Sequence, residues 1–482
     1  MASGKRVLPA IALALLLASA SGAEEEADSL IISKPVFKVS QEITRVVSGG
    51  SYIKDDGLDD AWIEPTMGSV NFQALKNSRL GLEVMLSAVY FAAPYHYDQP
   101  QNYTRNMSFS APRLDASYLF GDLEHPFLKV DVGIFNYKYN ENSRDLGEYM
   151  FRTWAYPGII ATGGTYAYLG ANGATLTGLK LGQSLGMFSH EFLATLETDL
   201  TPVYDLNLTY MAKANLKNVV KIGGGVQVAR ALRADGDKET AMKYFTQNGV
   251  AYGDAPGYYK SLENGINAKL AATGASHEDS ARLNGELARA MTASAVLDSV
   301  STGQINPDMK TITTMAIKPM LWFSFDPKPL FASEIFGAKD LVLYGEAALL
   351  GAKNYPVFYD EIARRIPFMV GFNFPAFKLL DVLSFEVEYY RSRMVPSFRP
   401  NQPNASPTPV VTDSYYPADW DKDNLKWSVS AERTLVRGVS LAAQVASDHS
   451  RSWDWNNYGK TPWEIYTTPS QYYWGLRLAI SI

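Results

Sequence analysis

The sequence contains no cysteine, and only five histidines among 482 residues. Without cysteine there can be no disulfide and no thiolate metal site, and no His/Asp/Glu spacing matches a zinc or calcium motif. No metal and no other cofactor is therefore expected. Basic clusters are missing too: 44 Lys and Arg stand against 50 Asp and Glu, a formal net charge of −6, and this mildly acidic balance argues against a nucleic-acid partner. Nor is there an uninterrupted apolar run near the roughly eighteen residues that a helical bilayer span needs. The apolar stretch Pro9 to Ala18 is too short for that. Preceded by Lys5 and Arg6 and followed by Ser21-Gly22-Ala23 before Glu24, it reads as a secretory signal over 1–23, so export is expected. Residues 24–34 read as a flexible periplasmic leader.

What the chain does have is alternation. In Gln471 to Ile482, Tyr472, Trp474, Leu476, Leu478, Ile480 and Ile482 fall on one face, and Gln471, Tyr473, Gly475, Arg477, Ala479 and Ser481 on the other. Successive strand side chains point to opposite faces, so this is a strand with one apolar and one small or polar side. Its length suits a tilted bilayer crossing of about 9 to 11 residues, and its aromatic start suits a membrane interface. An edge strand of a soluble secreted sandwich would show the same pattern. The stretch resembles the closing strand of a bacterial outer-membrane β-barrel, although such proteins usually finish on Phe or Trp and this chain finishes on Ile482.

The same alternation marks sixteen candidate strands, near 36–47, 69–76, 79–91, 113–121, 127–137, 172–182, 187–198, 204–213, 219–232, 311–325, 340–350, 366–374, 379–393, 424–435, 439–449 and 471–482. The count carries an error of about two strands, because single-sequence boundaries are weak. The expected fold is all-β: a transmembrane antiparallel β-barrel over 35–482. Connections mostly alternate short and long, as when turns face the periplasm and loops face outside. The connections at Asp199–Val203 and Asp326–Lys339 break that rule. In the longest connection, 233–310, the period changes, and segments near Tyr258–Ala272 and Glu278–Leu297 are rich in Ala, Leu, Glu and Arg, so a mostly helical insertion is expected there.

On this count Lys138 to Ala171 is the third external loop. In the sixteen-stranded porins that the chain resembles in topology, that loop folds inward and narrows the channel. Arg144, Asp145, Glu148 and Arg152 would supply mixed charge to such a constriction. An ordinary exposed loop would have similar content. Glu83, Lys129, Asp131, Lys180, Glu346, Glu386, Glu388, Lys426, Glu432, Gln444 and Arg477 lie opposite the apolar sides of their strands. Unpaired charges in a dry core are costly, so a water-filled lumen lined by these residues is the simpler account. Any single one could be merely a wetting residue. Aromatics near strand ends, among them Tyr90, Phe91, Tyr118, Phe120, Trp322 and Phe323, are candidates for interfacial girdles.

No catalytic group stands out. His190 lies beside Ser189 and Glu191, and His449 beside Asp448, but neighbours on one strand point oppositely and cannot readily pair. The expected function is a porin-like channel in the cell outer membrane for passive diffusion of small hydrophilic solutes. Its partners are outer-membrane lipid and those solutes, and association into a homotrimer, as in many such proteins, is left open. A barrel-anchored receptor or adhesin, binding carbohydrate or protein through its outer loops and insertion, is the alternative.

Overall fold

Wherever apolar and polar residues alternate, the backbone is extended, and the pairing of these segments decides the architecture. The computed structural model describes residues 29–47, 62–94, 103–151, 174–196, 205–232, 255–271, 280, 283–284, 287, 291, 316–331, 334–350, 352, 366–389, 425–447, 450–453, 462–465 and 472–482. The signal segment and Arg152 lie outside them. The strands are β1 (Leu30–Ile32), β2 (Val36–Val47), β3 (Trp62–Lys76), β4 (Leu80–Pro94), β5 (Tyr103–Gly121), β6 (Pro126–Tyr137), β7 (Ala174–Leu185), β8 (Phe188–Leu196), β9 (Leu206–Leu216), β10 (Val220–Leu232), β11 (Ala316–Phe325), β12 (Leu343–Ala348), β13 (Phe368–Asn373), β14 (Val382–Tyr389), β15 (Leu425–Val436), β16 (Val439–Ser447), β17 (Ser450–Trp453), β18 (Pro462–Ile465) and β19 (Tyr472–Ser481).

Sixteen of them, β2 to β16 and β19, form one closed antiparallel ring. Closure joins the last strand to the first: Ser481 pairs with Lys38 and Tyr472 with Val47, and Phe37 and Ile482 exchange backbone hydrogen bonds of 2.9 and 2.8 Å. Every barrel strand thus has two neighbours. β1 lies beyond the start of β2 and pairs with β3, Leu30 facing Lys76. Part of the expected flexible leader is therefore a paired strand. The hairpin of β17 and β18 stands apart from the ring, within a stretch expected to be plain loop.

The short turns gather at one end and most long connections at the other; the connection 326–342 between β11 and β12 is the exception, long but at the short-turn end. At the end that carries Phe37 and Ile482, Asn77-Ser78 and Lys217-Asn218 turn with φ of 51°, 55°, 53° and 57°. Such primed turns match the twist of the strands they join, and Asn tolerates positive φ better than most residues. At the same end Asp381 accepts the Thr434 N–H at 2.6 Å, and that bonding holds its carboxyl below the usual range. The longest connection, between β10 and β11, leaves from the other end and contains α1 (Ala255–Ala271). Of the second expected helical segment, Ser280, Leu283, Asn284, Leu287 and Met291 are described, all helical.

The outer face carries the exposed apolar side chains, including Phe72, Leu86, Ile222, Leu321, Phe323, Val370, Phe385, Leu441 and Leu476. A belt of this kind would be costly in water and is at home in hydrocarbon. No described helix is long and apolar enough to cross a membrane, so any crossing falls to the strands. Leu321 is 70% exposed; replacing it with Arg in the middle of a bilayer costs about 2–4 kcal/mol. Urea titration of folding into lipid vesicles should show that loss for Leu321→Arg, and an unchanged midpoint would remove lipid from this face.

Candidate functional site

The segment 138–151, between β6 and β7, turns into the barrel and is held there by side chains of the far wall. Three of these are carboxylates on two strands. Glu386 of β14 accepts the backbone N–H groups of Arg144, Asp145 and Leu146 at 2.6, 2.9 and 2.9 Å and the Tyr344 hydroxyl at 2.8 Å. Glu388, one inward position further on, accepts the Tyr149 hydroxyl at 2.9 Å. Glu346 of β12 accepts the Tyr149 N–H at 2.9 Å, the Tyr139 hydroxyl at 3.0 Å and the Asn140 amide at 3.1 Å. Charge-assisted bonds of this type are the strong ones.

A cation completes the grip. The Lys318 ammonium of β11, fully buried, donates to the carbonyl oxygens of Tyr149 and Met150 at 2.9 and 3.0 Å. Asn142 donates to the Ser324 hydroxyl at 3.0 Å, and Arg144 Nη1 meets Glu432 Oε2 of β15 at 2.9 Å. The loop thereby spans from its root to β15. Its sharpest bend is at Gly147 and Glu148, with φ of 79° and 58°. A Cβ at Gly147 would come within 3.0 Å of Met369 and 3.1 Å of the Glu346 carboxyl carbon, so a side chain here would push Met369 aside in a backbone conformation that already favours glycine.

Apolar packing fills the space between these bonds. Tyr139, Leu146, Tyr149, Met150 and Phe151 of the loop form one buried cluster with inward residues of β6 to β13, among them Phe135, Leu176, Met211, Met320, Trp322 and Met369. This changes two expectations. Trp322 is not a girdle residue: it is 5% exposed and points inward, while its neighbour Phe323, 38% exposed, points out, as adjacent strand positions must. The inner wall is also not polar throughout, because part of it is the apolar seat of the loop.

The sequence-predicted residues divide accordingly. Glu346, Glu386 and Glu388 face inward as expected, but at 4%, 0% and 1% exposure they are covered; what they meet is loop backbone and tyrosine rather than open lumen. Asp145, Glu148 and Lys426 are also buried, Lys426 opposite Glu388 in register. Gln444 bonds Ser428 at 3.0 Å. The residues with water access lie elsewhere on the ring. Glu83 pairs with Arg113 at 2.9 Å, which also holds Asp115 at 2.7 Å. Lys129 and Lys180 flank Asp131 at 3.1 and 3.2 Å. The side chains of Lys129, Arg113 and Glu432 keep 47%, 32% and 29% of their exposure. Arg477 sits on β19 beside Glu42 of β2.

Lys318, Tyr344, Arg113 and Asn140 were not singled out from sequence. Lys318 could have been, since it alternates with the outward Ile317, Leu321 and Phe323 on the face shared with Met320 and Trp322. His190 points away from Ser189 and Glu191; it bonds Gln183 at 2.9 Å and lies by the Tyr210 ring, while Glu191 accepts the Tyr137 hydroxyl. His449 is outside the described residues.

Removing the Glu386 carboxylate leaves three loop N–H groups without an acceptor. A hydrogen bond to a charged group contributes about 1.5–3 kcal/mol, so Glu386→Ala should speed amide exchange at Arg144–Leu146 by roughly 10- to 100-fold, with the barrel strands still protected. Equal protection in the variant would show that apolar packing alone holds the loop.

No protein-family model matches the chain, and no curated protein does. Among solved structures, the chain is similar to a mutant porin of Rh. blastica, with a TM-score of 0.42 and 8% identity over 94% of this chain and all of that one. A triple mutant of the Rhodopseudomonas blastica porin gives 0.41 and 6%, and a structure described as "Asymmetric conductivity of engineered proteins" gives 0.41 and 7%, each with the same coverage.

Proposed function

We propose that the protein is a porin-like channel of the cell outer membrane through which small hydrophilic solutes diffuse passively, with segment 138–151 narrowing the path. The observation that carries this reading is the uneven inner wall. The loop occupies one side, on an apolar seat, whereas Glu83, Arg113, Lys129 and Lys180 on β4 to β7 keep inward, partly exposed charges. Charged side chains at membrane depth face water or partners rather than lipid, so an aqueous path along that wall accounts for them. The loop carries charges of both signs, Arg144 beside the Glu432 carboxylate, and charge at a narrowing biases solutes by sign and orientation.

A second reading keeps the barrel as an anchor. The longest connection, which contains α1, leaves the ring at the end opposite the short turns, where a receptor would present a binding surface. Planar bilayers separate the two. A channel gives stepwise ion currents, and their absence would favour the anchor. In a conducting protein, Arg144→Gln, Glu148→Gln and Arg152→Gln should each move the zero-current potential in a salt gradient, with opposite signs for the acid and the bases. Identical potentials would take these residues out of the constriction.

A further inference from the structure

At the short-turn end of the lumen, beneath the loop, four cations from separate elements share too few acids. Arg144 comes from the loop, Lys38 from β2, Arg477 from β19 and Lys339 from the connection between β11 and β12. Glu432 and Arg477 sit level on either side of Ala442; the Glu432 carboxylate lies within electrostatic reach of Lys38, Arg477 and Lys339 and meets Arg144 Nη1 at 2.9 Å. The other Arg144 nitrogen, Nη2, is buried with no acceptor. Glu42 faces Arg477 in register and attracts it. Asp381 attracts Lys339 but is also engaged by Thr434 and Arg433.

Repulsion follows from this crowding. Arg144 acts on both Arg477 and Lys339, and Arg477 acts on Lys38. Partial desolvation, and then the Arg144 charge, lower the pKa of the Lys339 amine, although the residue itself is exposed. Like charges left underpartnered in a confined space are costly. An anion placed among them would relieve that cost, and guanidinium forks match the geometry of carboxylate and phosphate oxygens.

We propose that Arg144, Arg477, Lys38 and Lys339 form a binding subsite for the oxyanion group, carboxylate or phosphate, of a small solute at the turn-side end of the lumen. The route by which the solute arrives rests on the channel reading; the binding itself does not. Because Arg144 and Arg477 reach the site from the inward loop and the inward face of β19, with Lys38 and Lys339 exposed at the turn-side mouth, a lipid headgroup is not the source.

The detergent-purified protein is titrated calorimetrically with inorganic phosphate and, separately, with succinate. Saturable binding of at least one is expected, weakened by added KCl through screening. Whichever probe binds more tightly identifies the phosphate or the carboxylate as the favoured group. Arg477→Gln should weaken binding about tenfold or more, corresponding to one lost charge-assisted bond, and Arg477→Lys should restore most of it. The heat-dependent gel shift of the barrel checks folding. If Arg477→Gln does not fold, the exposed Lys38→Gln takes its place. No binding of either probe to the unmodified protein, or equal binding by the Gln and Lys variants, overturns the proposal. Ion current without binding leaves the channel and removes the subsite, whereas binding without current does the reverse.

Discussion

A sheet in hydrocarbon can have no free edge, because lipid offers nothing to an unpaired N–H or C=O, and this constraint governs the rest of the molecule. The exchange between Phe37 and Ile482 meets it by joining strands from opposite ends of the described chain. Closure then defines an inside and an outside, and each strand is sorted by its period of two. Leu476, Leu478 and Ile480 face out, with Arg477 turned in between them. The short turns follow as well, since antiparallel neighbours need only two or three residues to reverse.

Inside the ring a second problem arises. A loop laid across a lumen exposes backbone groups that have no sheet to pair with, and a buried unpaired group costs as much as a lost hydrogen bond. Glu386, Glu346 and Lys318 act as stand-in strands, the carboxylates taking N–H groups and the ammonium taking carbonyls. Each buried charge is thereby surrounded by the dipoles that best offset its own loss of water. Loop and wall charges are mutually dependent: neither would be tolerable in this position without the other.

Much of this was readable along the chain, and the part that was not has a common cause. Alternation exposed all sixteen barrel strands and the side on which Glu83, Lys129 and Arg477 sit, because lipid and lumen impose a local pattern. The meeting of Arg144 with Glu432, 288 residues apart, leaves no local trace. Period also cannot say which inward residues are covered, so Glu386 and Lys129 look alike in sequence although one lies under the loop and the other beside water. Trp322 misled for a related reason: an aromatic near a strand end suits either an interface or an apolar seat. Leu30–Ile32 is too short to show any period.

The way Tyr149 is held has a consequence for motion. Its N–H goes to Glu346, its carbonyl to Lys318 and its hydroxyl to Glu388, so the residue is clamped from three strands at once. A swing of the loop away from the wall would break these together with the three Glu386 bonds, at a cost of about 9 kcal/mol or more for six bonds to charged groups. Such excursions would be populated below about one part in ten thousand. The clear width left inside the ring is therefore set by architecture rather than by flicker of the loop.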